Sequence, residues 1–133
     1  MTEHDINIDE LFAKRDISGL IKALKSKDNT TRYSAASAIS KLGPDAAEAM
    51  PALIELLKHW DAMTRVAAAG AIGKIGITCK KEVQIAVPAL QEALKDRECM
   101  VRRVAGTALE DIDPALWVDW DEDEDSDTSA DSL

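Results

Sequence analysis

One block, written three times, limits what this chain can fold into. It reads ISGLIKALKSKDNTTRYSAASAISKLG from Ile17, MPALIELLKHWDAMTRVAAAGAIGKIG from Met50 and VPALQEALKDRECMVRRVAGTALEDID from Val87. A short unit repeated in tandem cannot bury its apolar face alone. It does so by stacking on its neighbours, which gives an array rather than a globular enzyme fold. Several positions fix the register together. Leu20, Leu53 and Leu90 correspond, as do Leu24, Leu57 and Leu94. So do Asp28, Asp61 and Glu98, then Arg32, Arg65 and Arg102, and finally Ile39, Ile72 and Leu109. The offset is 33 residues between the first two copies and 37 between the second and third. The extra residues fall around Gly76 to Lys81, which reads as a longer loop.

Each unit reads as two helices, so the expected fold is an all-α superhelix. It has three helical-hairpin repeats and a short N-terminal capping helix near Ile8 to Lys14. In the second unit Met50, Leu53, Leu56 and Leu57 share one helical face. Asp61 stands at the expected N-cap of the next helix. Arg65, Ala68, Ala69, Ile72 and Ile75 form that helix's buried stripe, and Gly76 and Gly43 are expected to end their helices. Gly70 and Gly73 cost about 1 kcal/mol each inside a helix, so close packing or surface access is expected to outweigh propensity there. Pro51 and Pro88 either open their helices or kink ones that begin earlier. The expected boundaries are 1–15 for the cap, 16–118 for the repeats (about 16–43, 44–76 and 80–112) with a C-terminal cap, and 119–133 for an acidic tail.

The net charge of −9 misleads as an average. Residues 110–133 hold 11 acidic residues and no Lys or Arg, which leaves 14 acidic and 16 basic residues in the rest of the chain. The body is near neutral and the tail is a polyanion, expected to be disordered from Asp121 onward. With aromatics at only 4%, the core must be built from Leu, Ile, Val and Ala. No stretch is long and apolar enough to span a bilayer. The start MTEHDINIDELF is unlike a secretory signal. Cys79 and Cys99 lack metal-ligand spacing. A cytoplasmic setting with reduced thiols follows as the expectation.

At these residues the chain resembles the HEAT-like repeats of the phycobilisome-lyase type. The pattern is Pro-Ala-Leu-x-x-x-Leu, then an acidic residue, Arg four residues later, and an Ala-rich helix closing on Ile-Gly. Pro51 to Gly76 match it almost throughout. Pro88 to Ile112 match with Asp113 in place of the glycine, and Ile17 to Gly43 match more loosely. The resemblance implies a solenoid whose second helices line the concave side. It implies protein-binding or adaptor roles, with an accessory subunit of a bilin-lyase-like maturation system as the alternative. The di-iron His-Glu pairs of hydroxylase relatives are absent, since His4 and His59 are followed by Asp5 and Trp60. No nucleophile set, phosphate loop or basic cluster appears, so neither catalysis, a cofactor nor direct nucleic-acid binding is expected. An acidic nucleic-acid mimic is a weaker alternative for the tail.

The acidic–Arg ladder reads as N-caps and inter-repeat bridges. Opposite the buried stripe, the register leaves Tyr33, Ser37 and Lys41 in the first repeat, Met63, Val66 and Lys74 in the second, and Met100, Arg103 and Thr107 in the third. An apolar strip rimmed by cations suits a partner protein or peptide. The competing reading has Met63 and Met100 filling gaps between repeats. Trp60 is expected to pack over helix ends, with a partly exposed contact residue as the alternative. Trp117 and Trp120, followed by acid, form either a linear motif or, for Trp117, a cap on the last repeat.

Overall fold

A computed structural model describes residues 7–113. Eight α-helices follow one another among them: α1 Ile8–Ala13, α2 Ile17–Leu24, α3 Asn29–Leu42, α4 Met50–Leu56, α5 Ala62–Thr78, α6 Lys80–Val83, α7 Val87–Ala93 and α8 Cys99–Ile112. Short 3-10 segments, Gly43–Ala49 and Gln84–Ala86, lead into α4 and α7. No strand occurs among the described residues. The pairs α2–α3, α4–α5 and α7–α8 are the three repeats. Helices α3, α5 and α8 pack on one another in direct succession, whereas α2, α4 and α7 meet each other far less. The capping helix α1 packs against both α2 and α3.

The core follows the repeat register. Leu20, Leu53 and Leu90 are fully buried, as are Ile39, Ile72 and Leu109. The helix starts are chemical. Asp28 and Asp61 each accept a hydrogen bond from the amide three residues on, at 2.9 and 3.2 Å, and each also accepts one from the hydroxyl of that residue, Thr31 or Thr64. Glu98 occupies the same place but makes no side-chain cap, because its extra methylene carries the carboxylate past the amides. Its own amide instead donates to Asp96.

Three expectations need correction. Gly76 does not end α5, which continues to Thr78, and the segment expected as a loop is the last turn of α5, a break at Cys79 and the start of the short helix α6. Gly76 is instead required by close approach, since a Cβ there would lie 2.7 Å from Val83 and 2.9 Å from Ile112. The extra residues bring Lys80 to α8, where its Nζ donates to the Ile112 carbonyl at 2.9 Å, a cation placed at a helix C-terminus. Gly43 does end α3, with a φ of +58° that favours glycine. Pro51 and Pro88 sit in the first turns of α4 and α7, where the missing N–H costs nothing, and the chain before them is already helical in the tighter 3-10 form. Trp60, expected to pack over helix ends, is instead 74% exposed in the turn between α4 and α5, beside the His59 ring.

Candidate functional site

The arginine ladder is internal. Arg32 and Arg65 are 2% and 6% exposed. Arg32 Nε donates to Thr64 Oγ1 at 3.0 Å in the next repeat, and its guanidinium lies 3.6 Å from the Asp61 carboxylate. Arg65 grips Asp96 with two bonds, Nε at 2.8 Å and Nη2 at 3.1 Å. Each arginine therefore ties its repeat to the following one, as a planar fork can. The acid of the second seam is Asp96, two residues before Glu98, so that rung is displaced from the sequence register.

Tyr33 joins this network. Its hydroxyl donates to Asp61, which also receives the Thr64 groups. The hydrogen bond from Tyr33 leads in holding Asp61 below the ordinary carboxylate value, while the same bond raises the Tyr33 phenol. Burial opposes ionisation of Asp96, but the Arg65 hydrogen bonds and the Glu98 amide outweigh it, and its pKa is lowered. Burial, then the Arg32 charge, lowers His59, whose Nδ1 accepts the Asp61 amide at 3.0 Å.

Depressed carboxylates contribute stability that is complete above their unfolded pKa, about 3.9, and is lost as pH falls through their lower folded values. The melting midpoint is therefore expected to hold down to roughly pH 5 and to fall below about pH 4. Asp96→Asn removes one of the titrating groups, so its midpoint is expected to fall less between pH 5 and pH 2 than that of the parent. Parallel curves would show that Asp96 does not drive the acid limb.

The strip predicted on the second helices is largely at the surface. Ser37 and Lys41 on α3, Met63 and Lys74 on α5, and Met100, Arg103 and Thr107 on α8 are exposed. Met63 and Met100 are 46% and 50% exposed, so they do not fill inter-repeat gaps. Tyr33 and Val66, expected as open apolar surface, are only half-buried faces, and the Tyr33 hydroxyl is committed to Asp61. Trp117 and Trp120 lie outside the described residues, as does the acidic tail beyond Asp113.

At one end of the strip, α1 and α3 enclose a hollow of about 390 Å³. Tyr33, Ser37 and Lys41 form one wall, Ile8, Asp9 and Phe12 the other. The Lys41 ammonium stands 6.0 Å from the centre of the Phe12 ring. Reading the repeats missed the α1 wall, since the cap lies outside them; the partly apolar run Ile8, Leu11, Phe12 at helical spacing was the available signal. Among the described residues no group of His, Cys, Asp or Glu could hold a metal ion.

The profile of HEAT repeats matches residues 17–110. The chain belongs to the HEAT repeat family. No curated protein matches it. Among solved structures it is similar to the crystal structure of an engineered protein, with a TM-score of 0.66 and 26% identity over 83% of this chain. The chain spans half the length of that protein. HEAT repeats generally act as scaffolds for protein–protein interaction. No helix among the described residues is long and apolar enough to cross a membrane.

Proposed function

We propose that this HEAT repeat protein is a non-catalytic scaffold that binds a partner protein or peptide across the exposed face of α3, α5 and α8. The observation that carries this reading is the hollow between α1 and α3, continuous in register with Met63, Lys74, Met100 and Arg103. The hollow sets Ile8 and Phe12 beside Lys41 and Asp9, and Lys74 and Arg103 add cations farther along the face, which suits an apolar side chain with acid on one flank. The close succession of the second helices supports their lying on the inside of the curve. The acidic tail, with Trp117 and Trp120, tunes or competes for that face. The Pro51 to Gly76 pattern supports the phycobilisome-lyase subtype of repeat, and the two free cysteines fit a cytoplasmic setting.

The test is affinity capture from the native cell with the full-length protein, the variant Met63→Ser/Met100→Ser, and Trp60→Ala as control. A partner held by the parent and the control is expected to fall about tenfold with the strip variant, on the order of 1.4 kcal/mol. A partner lost equally from the control would move the interface to the turn edge and end this reading.

A further inference from the structure

The three equivalent arginines are alike on one side and differ on the other. In each, Nη1 donates to the carbonyl six residues earlier: Arg32 to Ser26 at 2.9 Å, Arg65 to His59 at 2.7 Å and Arg102 to Asp96 at 2.7 Å. The remaining edge of Arg32 meets Thr64 and Asp61 of the next repeat as well as Asn29 of its own, and that of Arg65 meets both oxygens of Asp96. No repeat follows Arg102 among the described residues. Its only hydrogen-bond partner among the described residues is the Asp96 carbonyl, and no carboxylate among them lies within ion-pair distance. A guanidinium carries five N–H donors in a fork that matches a carboxylate.

We propose that this open fork of Arg102 is a carboxylate-binding site, and that its occupant is the acidic run Asp119–Asp125 of the same chain. Reach selects these residues. Arg102 lies ten residues before the end of α8, about 15 Å along a rigid helix. Glu110, Asp111 and Asp113 are fixed near the far end of that helix and cannot approach. An extended chain covers roughly 20 Å in the six residues from Asp113 to Asp119, so Asp119 is the first acid able to return to the fork, and the acids up to Asp125 follow it. Charge agrees: residues 114–133 hold eight acidic residues and no Lys or Arg, while Arg97 and Arg103 stand exposed beside Arg102. Glu98, one turn earlier, opposes the field but does not occupy the fork. The acidic run thereby takes the place at Arg102 that the next repeat's acid takes at Arg32 and Arg65. This inference stands whether or not the strip on the second helices binds a peptide.

The test uses the full chain with Asp119, Asp121, Asp123 and Asp125 changed to Asn and Glu122 and Glu124 to Gln. The Arg102 Nε–H signal is expected to shift between parent and this variant, while those of Arg32 and Arg65 stay in place. The melting midpoint at low salt is expected to fall by about 2–5 °C, and to fall no further when Arg102→Gln is added. An unmoved Arg102 signal, or losses that simply add, would overturn the proposal. An Arg102 shift that grows with protein concentration would assign the carboxylate to a second copy and overturn the within-chain form. If Arg102→Gln does not fold, the signal comparison decides alone.

Discussion

Replacing Arg65 with alanine is expected to unfold much of the array at temperatures the parent withstands. The side chain is nearly buried, and it closes three groups at once: the Asp96 carboxylate and the carbonyls of His59 and Trp60. Its removal leaves a poorly solvated anion and two carbonyls without their donor. Breaking one partner of such a pair costs about 3 kcal/mol or more, which at this chain length lowers the midpoint by roughly 12 °C or more. Arg65→Lys is expected to recover little, because an ammonium cannot grip both oxygens of Asp96. Asp96→Asn is expected to cost less, since the amide oxygen still accepts from the Glu98 N–H. Thermal unfolding of the three variants checks the order; a stable Arg65→Ala would show that the seam is held by apolar packing alone.

The second large effect is expected at Gly73. A Cβ there would stand 3.0 Å from the Ala108 Cβ and 3.1 Å from its Cα, so α8 itself must move to admit any side chain. Gly73→Leu is expected to cost about 2–3 kcal/mol by overpacking, even after the helix-propensity gain over glycine of about 1 kcal/mol. In a stack of nearest neighbours the loss falls on one seam. Hydrogen exchange should therefore show α7 and α8 losing protection while α2 to α5 keep theirs. Gly70 is the internal control. Its Cβ would meet only Val104, at 3.9 Å, so Gly70→Ala is expected to stabilise by about 0.5–1 kcal/mol. Uniform loss of protection in Gly73→Leu, or a destabilised Gly70→Ala, would contradict this account of the seam.

These two glycines show where sequence stops. Both lie inside one helix three residues apart, and propensity penalises them alike. Only the approach of α8 distinguishes the one that must stay small. The repeat register, the buried leucines and the Asp28 and Asp61 caps were legible because they depend on periodicity and on local backbone chemistry. Trp60 was misplaced because a tryptophan in a turn packs only if a neighbouring element covers it, and none of the described elements does so. The displaced rung at Asp96 was hidden for a related reason. Glu98 keeps the sequence register, but its length moves the charge away from the seam, and an acid two residues earlier takes the work. The exposed strip followed from the register, whereas the Tyr33 bond to Asp61 and the α1 wall depend on contacts between units.

The second unit carries a matched join on each side, and that makes the length of this protein an adjustable quantity. Suppose residues 50–86 were written twice in succession. Arg65 of the first copy would meet Asp61 and Thr64 of the second, the same acid and hydroxyl that Arg32 meets now. Arg65 of the second copy would meet Asp96 as before. Gly73 and Gly76 of the first copy would face Ala71 and Ile75, the residues in register with Ala108 and Ile112. A gene that duplicates this stretch inherits a longer exposed face joined by kinds of contact the chain already makes.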